Sequence, residues 1–238
     1  MLATHQLKII EDRHKRSYQP HRKGGSTSSE GISKLAAFAI PAHYPKGTIL
    51  FVEGQPTRGV FILHSGRVKL FTSSAGGKNF ILGFANPGEI LGLAGTVSGA
   101  PYEAWAEATE LTQTGFVQRE HFVDILRCHG ELAMQVAIHL GNSYRSAIAG
   151  ARMMVLSRSA SQKLAKFLLD WCESNRPFQD ETVAQFVLTH EEISQVIGTS
   201  RETVTRLLSG FKKRGLIQWK GCNLVLTDKA GLLNSAAD

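Results

Sequence analysis

The 238-residue sequence predicts an α+β fold in three successive parts: an N-terminal β jelly roll, one long helix and a C-terminal winged helix-turn-helix. Three observations carry this. Residues 32–118 alternate short β-prone pieces with glycine turns, and residues 130–156 repeat apolar and small side chains in steps of three and four. Residues 189–227 then place two tightly joined, capped helices before a short hairpin. The boundaries that follow are 1–30 for a basic tail, 31–129 for the β-domain, 130–156 for the long helix and 157–238 for the winged unit.

The tail contains RHKRSYQPHRKGGSTSSEG, a run too poor in apolar surface to offset its own ordering entropy, and it is expected to be flexible. The β-domain is punctuated at Pro45-Lys46-Gly47, Glu53-Gly54, Ser65-Gly66, Ala75-Gly76-Gly77 and Asn86-Pro87-Gly88, with TILFV, GVFIL, RVKLF and FILGF between the turns. Short strands with regular glycine turns build a sandwich or jelly roll. In the long helix, Ala133, Val136, Leu140, Ser143, Ala147, Gly150 and Met154 recur with the spacing of a coiled-coil seam. Small side chains there allow two helices to approach closely, so a parallel homodimer is expected; the alternative is a helix packed on its own domain. The amphipathic stretch SASQKLAKFLLDWCES leads into the winged unit.

In THEEISQVIG, Thr189 stands three residues before Glu192, the spacing of a capping box, and a helix is expected over residues 191–197. Gly198 supplies a left-handed stop and Ser200 a second N-cap, so a very tight turn joins this helix to the next. In SRETVTRLLSGF, Val204, Leu207, Leu208 and Phe211 form one apolar stripe, while Arg201, Glu202, Thr205, Arg206 and Ser209 share the opposite side. That polar set lacks the Glu/Lys alternation of a merely solvated face. Residues 216–219 and 224–227 then read as two strands around Lys-Gly-Cys-Asn, the wing. The pattern fits DNA recognition, with a protein-contacting winged segment as the alternative.

Charge placement agrees. The formal net charge is +7 and the pI about 9.5, yet residues 79–118 hold no Lys or Arg. Arg201, Arg206, Lys212, Lys213, Arg214 and Lys220 crowd the C-terminal part instead. No apolar run reaches the ~18 residues of a membrane span, and the first residues mix acids and bases, so a cytoplasmic protein without membrane contact is expected. Cys128, Cys172 and Cys222 are odd in number and far apart, which argues against a disulfide framework or a paired metal motif.

These residues carry a family likeness. The glycines of the β-domain (Gly47, Glu53-Gly54, Gly66, Gly88-Glu89, Gly92), the long helix, KLAKFLLD and THEEISQVIGTSRETVTRLL resemble the CRP/FNR family of bacterial transcription regulators over residues 32–233. The resemblance implies a cyclic-nucleotide-binding-type jelly roll, a dimerisation helix and a winged helix-turn-helix. It also implies double-stranded DNA with a two-fold symmetric site, a homodimer, and RNA polymerase as a protein partner. Arg201, Glu202 and Arg206 match the recognition helix of the cyclic-AMP receptor type, and Glu202, Thr205 and Arg206 match Glu-x-x-Ser-Arg of oxygen-sensing members with Thr for Ser. The chemistry suits these residue types: Arg donates twice to guanine O6 and N7, and Glu accepts from cytosine N4. Thr205 and Ser209 are expected to meet a thymine methyl or a phosphate, with Ser200 at the helix start. Lys212, Lys213 and Lys220 are assigned to phosphates, although a solvated helix end has the same composition.

The departures concern the effector. Leu93 follows Gly92 where cyclic-AMP-binding relatives carry Glu, and Tyr102-Glu103-Ala104 surrounds the position of their phosphate-binding Arg. Gly92, Leu93, Val97, Tyr102 and Trp105 are instead expected to line an apolar pocket or a packed interior. No Cys precedes Cys128, so the N-terminal cysteine cluster of iron–sulfur members is absent. His121, Cys128, His129 and His139 do not share one helical face, which disfavours haem or another metal, and His64 beside Ser65-Gly66 reads as a turn residue. The expectation is therefore no cofactor, with cyclic AMP and an iron–sulfur cluster disfavoured and a haem- or redox-based sensor regulator of the same fold as the alternative. No phosphate loop or nucleophile elbow is visible, so the chain is not expected to be an enzyme.

Overall fold

The computed structural model describes residues 35, 38–156, 159–174 and 183–237; the predicted tail over residues 1–30 lies outside them. Eight strands form the β-domain: β1 (Ile40–Tyr44), β2 (Ile49–Phe51), β3 (Gly59–Ser65), β4 (Val68–Ser73), β5 (Asn79–Ala85), β6 (Ile90–Leu91), β7 (Trp105–Ala108) and β8 (Thr112–Gln118). They make two antiparallel four-stranded sheets, ordered β1-β8-β3-β6 and β2-β7-β4-β5. GVFIL in β3 lacks polar alternation because both its faces are buried. Phe61 and Leu63 enter the core between the sheets with Phe51, Val68, Tyr102 and Ala106. Val60 and Ile62 face the helices that cover the first sheet.

Those helices are α2 (Arg119–Cys128) and α3 (Gly130–Leu156), whose Phe122, Ile125, Leu132 and Val136 complete the second core. A short helix, α1 (Leu93–Ser98), interrupts the strands after β6. Pro41 lies in β1, at the edge of its sheet, where a strand tolerates a residue without an N–H.

The winged unit has its own core. It comprises α4 (Ala160–Ser174), β9 (Val183–Gln185), α5 (His190–Ile197), α6 (Arg201–Lys213), β10 (Ile217–Lys220), β11 (Asn223–Leu226) and α7 (Lys229–Ala237). The wing turn is two residues shorter than expected: Lys220 pairs with Asn223 across a two-residue Gly221-Cys222 turn, and β9 adds a third strand beside β11. Leu164, Leu168 and Trp171 of α4 pack against Ile193 and Ile197 of α5 and Val204, Leu208 and Phe211 of α6.

The two units touch. Phe84 of β5 meets Trp171 edge-on, ring centroids 5.7 Å apart, and the Arg67 guanidinium lies 5.7 Å from the centroid of Trp171. Helix α5 also packs on β5.

Phe211 is fully enclosed, so Phe211→Ala should destabilise the winged unit by about 3–5 kcal/mol through lost burial and a residual cavity. Urea unfolding followed by the fluorescence of Trp171 and Trp219, both in this core, reads the effect.

Candidate nucleic-acid interface

Local chemistry sets the two helices of the interface. Thr189 and Glu192 form the reciprocal capping box: the Glu192 backbone N–H donates to Thr189 Oγ1 at 3.1 Å, and the Thr189 N–H donates to Glu192 Oε2 at 2.8 Å. The helix they start includes His190, one residue more than the spacing suggested. Gly198 closes α5 at φ 67°, a left-handed value at which a side chain is strained, and its N–H donates to the Ser194 carbonyl. Two residues later Ser200 Oγ accepts from the Thr203 N–H at 3.2 Å and starts α6.

Helix α6 is split along its length. Val204, Leu208 and Phe211 are buried in the winged core, and Leu207 packs at its margin. Arg201, Glu202, Thr205, Arg206 and Ser209 are all exposed and line one open depression of about 390 Å³. The Glu202 carboxyl is held below the usual carboxylate value, first by its own backbone N–H and then by Ser200, with Arg201 assisting. It is therefore ionised at neutral pH and acts only as an acceptor. Both hydroxyls on this face are turned back on the helix: Thr205 Oγ1 donates to the Arg201 carbonyl at 3.0 Å and Ser209 Oγ to the Thr205 carbonyl at 2.9 Å. Ser200, Lys212, Lys213 and Lys220 are exposed too, the first at the start of α6, the next two in its last turn and the last on the wing.

The seven positions of the predicted helix seam are divided. Val136 is buried in the chain's own β-domain core and Leu140 packs against it, because that side of α3 covers the first sheet. Ala133 is half-buried, Ser143, Ala147 and Gly150 are exposed, and the side chain of Met154 lies outside the described residues. The large exposed apolar side chains occupy the roughly opposite face of α3: Met134 (63% exposed), Ile138 (52%) and Ile148 (45%), with Gly141 between.

The five effector-pocket candidates are not brought together either. Leu93 enters the core under the helices, whereas Tyr102 enters the core between the sheets. Gly92, at φ 71°, caps α1 where an added Cβ would lie 2.6 Å from the Tyr102 ring. Val97 is exposed. Trp105 stands on the opposite face of β7 from buried Ala104 and Ala106, stacked on Phe71 beside the Lys69–Glu107 ion pair. Strand alternation accounts for that split.

Two neighbours were invisible in the sequence. Arg119 donates from Nε to the Thr96 carbonyl at 3.1 Å, bringing a guanidinium to the C-terminal end of α1 from 23 residues away. His190 Nδ1 lies 2.8 Å from Thr205 Oγ1, a contact made across the turn. Among the described residues, no cluster of three His, Cys, Asp or Glu side chains could hold a metal ion, and no helix is long and apolar enough to cross a membrane.

A β-roll joined through a long helix to a winged unit with an open, basic recognition helix defines a DNA-binding regulator. Residues 41–129 match the cyclic nucleotide-binding domain family and residues 162–235 the Crp-like helix-turn-helix domain family. The chain belongs to the CRP/FNR family of transcription regulators. It is 28% identical over 191 residues to transcriptional activator protein FnrA of Stutzerimonas stutzeri, covering 79% of this chain and 76% of the relative. It is also 28% identical over 195 residues to the cyclic AMP receptor protein of Thermus thermophilus, covering 82% and 86%. The fold is similar to FixK2 from Bradyrhizobium japonicum, with a TM-score of 0.75, 23% identity, and 84% of this chain and 98% of that chain covered. A CooA mutant from Carboxydothermus hydrogenoformans gives a TM-score of 0.76 at 22% identity, covering 92% and 98%. Both matched domains and these relatives are those of regulators rather than enzymes.

Proposed function

We propose that the chain binds an inverted DNA repeat as a homodimer, with α6 in the major groove, and that its signal is not a cyclic nucleotide. The observation that carries the DNA reading is the division of α6: its apolar stripe is sealed in the core while Arg201, Glu202 and Arg206 stand free on one exposed face. Arg201 and Arg206 read guanine, and ionised Glu202 reads cytosine one helical turn from Arg206. Lys212, Lys213 and Lys220 take phosphates, which set register without reading sequence. A two-fold dimer places two such helices ~34 Å apart, one turn of duplex. The family resemblance suggests a half-site close to TGTGA and RNA polymerase as a partner.

Support for the dimer comes from the outward face of α3. Met134, Ile138 and Ile148 recur along it in an apolar row with Gly141, and no other part of the described chain covers that row. Support for the effector reading comes from the β-domain interior. Phe51 and Tyr102 stack at 4.1 Å, and Tyr102 donates its hydroxyl to the Gly59 carbonyl at 2.8 Å, so an aromatic pair is locked between the sheets. Arg119 lies at the C-terminal end of α1, already bound to a carbonyl, where helix polarity opposes an anion.

Selection from a random DNA pool should return an inverted repeat. On that site Arg201→Ala and Arg206→Ala should each relax specificity at one base pair by about 1–3 kcal/mol, whereas Lys213→Ala weakens all sequences alike. Ile138→Glu should shift the protein from dimer to monomer in sedimentation, and weaken binding to the repeat more than to a single half-site. Isothermal titration with cyclic AMP, cyclic GMP and cyclic di-GMP should show no saturable binding at micromolar concentration.

A further inference from the structure

The hydroxyl of Thr205 is committed on both sides. Its single proton goes to the Arg201 carbonyl at 3.0 Å, an atom that can only accept. The contact to His190 Nδ1 at 2.8 Å is satisfied at the same time only if Nδ1 carries the proton and donates to Thr205 Oγ1. Thr205 thus has no proton left for a base or a phosphate, although it is exposed and lines the recognition face. With its proton given to its own helix and one of its two lone pairs to α5, the oxygen can offer a partner only a single acceptor site and no donor, and the Cγ2 methyl is the larger group left to contact one.

His190 stands where it can do this for a structural reason. It is the first residue of α5, immediately after the Thr189 cap, and the tight turn at Gly198 folds α5 back beside α6. The two residues are 15 apart in sequence and meet across that turn. His190 itself is half-buried, and its ring reaches Thr205 at the surface of the unit.

We infer that His190 is a specificity-determining positioning residue: its Nδ1–H fixes Thr205 so that a methyl group, not a hydroxyl, faces the major groove and selects thymine through the thymine C5 methyl. This rests on α6 being the helix that reads DNA. Thymine is the base that presents a methyl in the major groove, and an apolar contact there distinguishes it from cytosine or uracil.

The test uses the full chain and the DNA site it selects, with each thymine replaced in turn by deoxyuridine, which removes one methyl group and leaves the pairing intact. At one thymine per half-site the replacement should lower affinity about fourfold, the transfer value of one buried methyl. Thr205→Val, which keeps the methyl, should retain that thymine-to-uracil ratio, and Thr205→Ser should bring it to about one. His190→Ala should also bring the ratio close to one, while His190→Asn, whose amide N–H replaces Nδ1–H, should restore it. Because the ratio is taken within each variant, a general loss of folded protein cancels. Unchanged affinity at every deoxyuridine position, or a ratio that survives His190→Ala, overturns the inference. Failure to select any DNA sequence overturns the DNA reading of α6 and the inference with it.

Discussion

The geometry of the interface depends on one backbone constraint, the left-handed residue at Gly198. Between the last turn of α5 and the first of α6 there are three residues, Gly198, Thr199 and Ser200. A chain that reverses in so little length needs a positive φ at the stop, which glycine supplies without strain. The reversal lets Ile193 and Ile197 share a core with Val204 and Leu208. Once that stripe is buried, helical periodicity alone puts Arg201, Glu202 and Arg206 on the outside. A rigid core therefore aims three long or charged side chains that make no core contact themselves.

The long helix works in the opposite sense, because it has two apolar sides and the described chain covers one of them. Leu132 and Val136 close the β-domain, as core residues of any single domain do. Met134, Ile138 and Ile148 face away from that core. The same rigid rod is thus part of the β-domain on one side and available to a second body on the other.

Legibility in the sequence followed the range of the interactions. The capping box, the Gly198 stop and the Ser200 cap act within three or four residues, and they marked the turn and the split of α6 closely. The 130–156 helix was equally readable from its period. What the period could not say was which positions the chain's own β-domain covers: Val136 and Leu140 pack on it, whereas Ser143, Ala147 and Gly150 of the same seam stay exposed. Trp105 was misplaced for a similar reason, since its neighbours on β4 were needed to show which face of β7 it shares. The short strand β9 and Pro41-bearing β1 carry little local signal and are fixed by their neighbours in the sheets. His190 and Arg119 were invisible because their partners lie 15 and 23 residues away.

Trp171 joins the two halves of the molecule beside the packing of α5 on β5. It belongs to the winged core, where it packs at a tilt against Phe167 and Phe186, but its ring also receives Phe84 and Arg67 from the β-domain. Contacts of these kinds are worth about 0.5–1.5 kcal/mol each, and every ~1.4 kcal/mol is a tenfold change in a ratio of populations. Together with the packing of α5 on β5, contacts of this size weight the orientation of the winged unit on the β-domain. A molecule that never approaches α6, but competes for the face of Phe84, would redistribute the orientations in which the recognition helix is offered to a duplex.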